Sequence, residues 1–220
     1  MRVAELRKIW DKRYTALCRE RKIRTIGGYG YLATDTYISS NALTVNQKGG
    51  DVHLSWWCEI KPLAIDPILW TIFMPETDLG SERKRLSLRV NGAFTATGLK
   101  IDRETTVVLP IADPDLHITR YLDRFAAAHT DFTAHYTTID DFLSQLRTRT
   151  ETPKLNPSRK SLREALTLIA SGRVDEAAHL VDTAIAAGDK GHMHGPQGWI
   201  YPLIADYCRR PRTADSPSGD

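Results

Sequence analysis

The chain has 220 residues, 41% of them hydrophobic and 26% charged, with a formal net charge of +3. That composition supplies a core for one large domain, or for a medium domain plus an appendage, and excludes a chain disordered throughout. The charge is too mild to call for a nucleic-acid partner, and no run of about 18 apolar residues predicts a membrane span.

The opening MRVAELRKIW is charged throughout and lacks the apolar centre of a secretory signal. Cys18, Cys58 and Cys208 are odd in number and far apart, with no C-x-x-C pair. Neither a disulfide framework nor a cysteine zinc site is expected; buried thiols in a reducing cytoplasm are. Residues 3–21 read as a helix. Leu6, Ile9, Trp10, Tyr14, Leu17 and Cys18 recur at helical spacing, with Arg7, Lys8, Asp11, Lys12 and Arg19 opposite. Gly27 and Gly28 end that element.

Residues 29–39 and 42–47 suggest strands, and Gly49-Gly50 suggests a hairpin turn. The clearest strand follows. Val52, Leu54, Trp56, Cys58 and Ile60 alternate with His53, Ser55, Trp57, Glu59 and Lys61. One face is apolar and the other mainly polar, as in an antiparallel sheet covered on one side. Asp66-Pro67 reads as an N-cap and first helical residue, ahead of Ile68, Leu69, Ile72 and Phe73. Leu86, Leu88 and Val90 alternate before Asn91-Gly92, which predicts a hairpin with a return strand over 93–101 and a further strand over 105–109.

Asp113-Pro114 opens a helix carrying Leu116, Ile118, Tyr121, Leu122 and Phe125. Another begins at Thr138 or Asp140 and carries Phe142, Leu143 and Leu146. The order of helix, hairpin-linked strands, then helices predicts an α+β domain over residues 1–150, built as an antiparallel sheet with flanking helices. Polar residues with two prolines make 151–157 a linker. Residues 158–210 read as a helical appendage, a hairpin over 158–170 and 174–187 plus one helix over 199–209. The tail over 211–220 has the composition of a disordered segment.

No catalytic motif assembles. G-x-S-x-G and H-E-x-x-H are absent, and the spacing over 92–100 is wrong for a P-loop. Gly27-Gly28-Tyr29-Gly30 follows a helix and precedes a strand, the reverse of a phosphate loop, so it reads as a turn. Cys58 reads as a core thiol. Asp113 with Asp115, and Asp140 with Asp141, stand at helix starts, where carboxylates cap free N–H groups. His192 and His194, two apart between glycines, are the candidate metal ligands, with His179 and Asp189 as the nearest further donors. A solvated, flexible loop explains them better, and no cofactor is expected. The basic runs 19–24 and 83–85 lie near the aromatics Tyr29, Tyr31, Trp56 and Trp57, a mixture that single-stranded nucleic acid can use. Solvated helix ends and core aromatics account for it better. Trp57 falls on the polar face of its strand, so either a helix covers it or it marks a contact surface.

The segments LRKIWDKRYTAL, GYGYLATDTYIS and VHLSWWCEIKP, between residues 6 and 62, together resemble a group of uncharacterised bacterial α+β proteins. Some of that group are suggested to be immunity proteins that neutralise partner toxins. The resemblance implies an opening helix, strands leading to a mid-domain tryptophan, and binding rather than catalysis; it carries no functional residue across. Residues 165–188, ALTLIASGRVDEAAHLVDTAIAAG, resemble a single tetratricopeptide-type helical hairpin, with no second copy and hence no solenoid.

The expectation is therefore a cytoplasmic, non-enzymatic module that binds a protein partner through Trp57, His53 and Glu59, with Tyr31 nearby. A homodimer is a further arrangement; membrane and nucleic acid are not expected partners. An enzyme or small-ligand binder would instead need a pocket in which Tyr31, His53 and Glu59 converge. A peptide-binding scaffold would use the C-terminal helices as a groove.

Overall fold

The computed structural model describes residues 3–48, 50–91, 94–108, 113–149 and 157–211. Of the expected linker over 151–157 and tail over 211–220, residues 151–156 and 212–220 lie outside them; Pro157 opens a helix. A leading helix α1 (Val3–Glu20) precedes four strands, β1 (Arg24–Ile26), β2 (Tyr29–Ala33), β3 (Tyr37–Lys48) and β4 (Asp51–Pro62). Helices α2 (Ile65–Phe73) and α3 (Glu82–Asn91) follow, then β5 (Leu99–Val108). The rest is α4 (Pro114–His135), α5 (Ile139–Thr148), α6 (Pro157–Ala170), α7 (Val174–Ala186), a short hairpin β6 (His194–Gly195) and β7 (Gly198–Trp199), and α8 (Ile200–Arg209). The α+β class with an antiparallel sheet holds: β1 to β5 form one sheet in sequence order, each pair antiparallel.

Strand alternation sets the layers. Val52, Leu54, Trp56, Cys58 and Ile60 are buried on one face. Leu6, Trp10, Tyr14 and Leu17 of α1 cover that face together with Ile118, Tyr121, Leu122 and Phe125 of α4. The Trp56 and Tyr121 rings stack at 5.3 Å, and the Arg124 guanidinium lies 5.0 Å from the Trp56 ring. Arg124 also donates to Asp102 at 2.9 and 2.6 Å, which locks α4 onto β5. Towards the other end, Tyr37, Ile60 and Leu99 meet Phe132 of α4 and Phe142 and Leu146 of α5. At the starts of α4 and α5 the expected caps are made: Asp113 accepts from Asp115 N–H, and Thr138 and Asp141 form a capping box.

The C-terminal helices pack on α2. Ile65, Leu69 and Phe73 share one core with Leu162, Leu166, Val181 and Ile204, and Leu143 of α5 joins it. Arg163 is fully buried and donates to Gly98 O at 2.5 Å, which ties α6 to the start of β5.

Four expectations are corrected. Residues 82–91 form helix α3, not a strand of a hairpin. Leu86 and Val90 are four apart, so one helical face carries both; they pack with Tyr31 and Ile38. The strands expected over 93–101 and 105–109 are one strand, β5, which starts at Leu99. The run 29–39 is broken at 34–36, where Thr34 Oγ1 accepts from Tyr37 N–H at 3.0 Å; the strand expected over 42–47 is the middle of β3. Asp66 is not a cap: α2 starts at Ile65, and the Asp66 carboxylate turns inward to Lys61.

Candidate functional site

The second face of the sheet is divided. Helix α3 covers its β1–β2 side through Leu86 and Val90. The β4–β5 side carries His53, Ser55, Trp57 and Glu59, all half-buried. Register places Trp57 between Ala42 on β3 and Arg103 on β5, His53 between Asn46 and Val107, and Glu59 between Ser40 and Lys100. Directly opposed residues share a face, so these form cross-strand rows. Ala42 contributes almost no bulk beside the indole. Val107 is 53% exposed, and Arg103 and Lys100 are exposed. Neither cation is ion-paired among the described residues. The result is an aromatic and aliphatic patch edged by two cations and one carboxylate.

The structure thus brings His53, Trp57 and Glu59 onto one surface. Tyr31 shares the row of Ser40 and Glu59, but two strands away, about 10 Å by strand spacing. It is only 7% exposed and packs with Ile38 and Val90 under α3. No convergence of Tyr31, His53 and Glu59 in one pocket is formed. Tyr31 instead lines a separate cleft of about 620 Å³ with Thr15, Thr25, Ile26, Gly27, Gly28, Glu82, Arg83 and Leu86. Gly27 and Gly28 are the β1–β2 turn, with φ of 56° and 84°, values that suit glycine.

His192 and His194 are held apart in environment. His192 is half-buried, its Nδ1 sealed without a partner, and burial together with Arg159 lowers its pKa. His194 is exposed, with its ring edge-on to Trp199 at 4.8 Å. His179 lines a different feature, an apolar-floored groove of about 530 Å³ with Leu168, Leu180, Arg147, Glu164 and Glu176. Among the described residues no group of three or more His, Cys, Asp or Glu is placed to hold a metal ion.

Cys18 and Cys58 sit in the core, whereas Cys208, also expected to be buried, is only half-buried. Burial pushes Cys18 up to about 11 and raises Cys58 further, so neither offers a thiolate nucleophile at neutral pH. Sequence reading missed three buried polar networks. Lys61, Asp66, Arg89 and Thr95 form one. Lys61 reads as a solvent lysine and Asp66 as a cap; only their shared burial reveals the pair. Ser39 Oγ lies 2.8 Å from His129 Nδ1 in a second, and Ser39 is fully buried. No described carboxylate orients that ring, so the pair satisfies two core groups rather than building a triad. In the third, Tyr14 donates to Asn41 Oδ1 at 2.7 Å and accepts from Gly30 N–H at 2.9 Å.

Compared with protein-family models, curated proteins and solved structures, the chain matches none. No helix among the described residues is long and apolar enough to cross a membrane.

Proposed function

We propose that this chain is a non-enzymatic protein-binding module, immunity-like in kind, that docks its partner on the open side of the sheet around Trp57, His53 and Glu59. One observation carries the reading. Trp57 stays half-exposed on β4, an interior strand of the sheet, directly opposite the unpaired Arg103, with the exposed Val107 opposite His53 further along the same face. Contact surfaces enrich Trp and Arg, and a sheet holds them in fixed positions at little entropic cost. The partner fitted to this patch is a protein surface that is partly apolar and bears carboxylates, because Arg103 and Lys100 outnumber Glu59.

The test is affinity capture from a lysate of the source organism, with nuclease, using the native chain, Trp57→Ser, Arg103→Glu and a control Leu116→Ser on α4. The expected result is one stoichiometric partner that both sheet variants lose and the control retains. A partner that survives both sheet variants would overturn the reading.

A second reading rests on the groove between α6 and α7. Its rim carries Glu164, Asp175 and Glu176 against Arg147, which suits a basic, apolar peptide. Leu180→Glu separates the two: it abolishes capture only if the groove is the docking site. Deleting the C-terminal helices is not a clean test, because they share a core with α2.

A further inference from the structure

The cleft beside Tyr31 plays no part in the docking surface and has the construction of a ligand site. We propose that it binds a small phosphate monoester carried on an apolar or aromatic group, of the size and chemistry of a nucleoside monophosphate.

Tyr31 supplies the first argument. It is more than nine-tenths buried, yet its hydroxyl makes no hydrogen bond among the described residues. It is also not one of the sealed polar atoms of the interior that lack partners. The hydroxyl therefore meets solvent where the residue lines the cleft. A buried phenol normally finds a partner, so an unused donor at the wall of a cleft is a vacancy for an acceptor.

Charge supplies the second. The fold brings together two basic runs that lie far apart in sequence. Arg83 lines the cleft from the first turn of α3. Arg24 is the direct cross-strand partner of Tyr31, on the same sheet face. Both are exposed, and neither is ion-paired among the described residues. The start of α3 adds the positive end of a ten-residue helix on the same side. A guanidinium fork, a phenol and a helix start match the acceptor oxygens of a phosphate.

Size and the remaining lining argue for more than a bare ion. A volume of about 620 Å³ would be mostly empty around inorganic phosphate, and it falls in the range of small-molecule sites. Ile26, Leu86 and the Tyr31 ring offer apolar wall. Glu82 is the one acid in the lining, and it repels an anion unless the ligand turns a donor toward it. A sugar hydroxyl is such a donor.

The experiment is an amide chemical-shift titration of the full chain with adenosine 5′-monophosphate, inorganic phosphate and adenosine. Tyr31→Phe removes only the oxygen, and Arg83→Gln changes an exposed side chain, so neither disturbs the fold; Lys100→Gln on the far edge strand is the control. The expected result is a saturable shift of Gly28, Ile26 and Leu86 with the monophosphate. Its affinity falls about tenfold in each cleft variant and is unchanged in the control. Adenosine at the same concentration leaves the spectrum unmoved, and inorganic phosphate binds more weakly than the monophosphate. The proposal is overturned by no shift at about 10 mM monophosphate, a concentration above any useful affinity. It is equally overturned by adenosine or inorganic phosphate binding as well as the monophosphate, or by cleft variants that bind like the native chain. An unphosphorylated oligonucleotide that binds more tightly than the monophosphate would overturn it too, since that marks a basic surface rather than a monoester site.

Discussion

Lys61 Nζ lies 2.8 Å from Asp66 Oδ2 in a part of the interior where Lys61 is 4% exposed and Asp66 is fully buried. The carboxylate is also met by Arg89 Nε at 3.3 Å, by the Thr95 hydroxyl at 2.7 Å and by Ala96 N–H at 3.2 Å. One side chain thus joins the end of β4, the start of α2, the end of α3 and the segment leading into β5. Asp66→Asn keeps the shape but leaves two cations facing a neutral amide. The expected cost is about 3–5 kcal/mol, the scale for breaking a buried pair by removing one partner. Lys61→Met combined with Asp66→Asn is expected to cost less than the sum of the single changes, because each removes what the other strands. Urea unfolding of the three variants measures this; strict additivity would refute the coupling.

Gly30 is required by close approach rather than by φ. A Cβ at that position would stand 2.7 Å from both Asn41 Nδ2 and the Tyr14 hydroxyl. Those two groups form the hydrogen-bonded link between α1 and the sheet. Gly30→Ala is expected to cost about 1–3 kcal/mol, as overpacked sites do. Gly28→Ala meets nothing within 4 Å, and its penalty comes only from its φ of 84°. Thermal unfolding of both variants, with the Gly30 change lowering Tm further, is the check.

Stability is expected to fall in two separate steps on acidification. Burial lowers the pKa of His129 from 6.5, and burial with Arg159 does the same for His192. The folded state then prefers neutral rings, while the unfolded chain takes up protons first. Stability is highest above pH 6.5 and declines as pH falls below it. Asp141 acts in the same direction at lower pH, its pKa held below 3.8 by the backbone and side chain of Thr138 and by Thr137 N–H. Its contribution is present above pH 3.8 and disappears only in stronger acid. Urea midpoints at pH 7.5, 6.5 and 5.5 should fall in that order, and less steeply in His129→Asn. A midpoint constant across that range would show that the rings are not held neutral.

The sheet and most helices were legible because their signals are periodic and local. Strand β4 shows a strict period of two over 52–60, and the structure keeps it in burial. The proline and carboxylate at the start of α4, and the capping box of α5, act through neighbours in sequence. The segment 86–90 was misread because apolar residues at 86, 88 and 90 satisfy a strand while 86 and 90 alone satisfy a helix turn. Asn-Gly, read as a hairpin, is equally a way to end a helix, and Glu, Lys and Arg around Leu86 favour helix. Of the candidate site, the row on β4 was legible and its neighbours were not. Arg103 and Ala42 reach Trp57, and Val107 reaches His53, only through register, and the bulge between Cys58 and Glu59 shifts the pairing that brings Lys100 to Glu59 by a residue. Arg83 and Tyr31 meet only because α3 folds back over the sheet.

Trp56 and Trp57 are adjacent in sequence and opposite in role, and substitution should separate stability from binding. Trp56 is 1% exposed, stacked on Tyr121 and capped by Arg124. Trp56→Ala removes a full core side chain and is expected to cost about 3–5 kcal/mol. Trp57 lies half-buried on the other face, where the loss of its ring leaves no sealed cavity. Trp57→Ala is expected to cost about 1 kcal/mol or less in urea unfolding. If the open face is the docking surface, the ranking reverses in a binding assay at a temperature where both variants are folded. Trp57→Ala then loses the partner, and Trp56→Ala binds as the native chain does. A Trp57 variant that unfolds as readily as the Trp56 variant would mean that the indole is structural. The surface around Arg103 and Val107 would then lose its anchor.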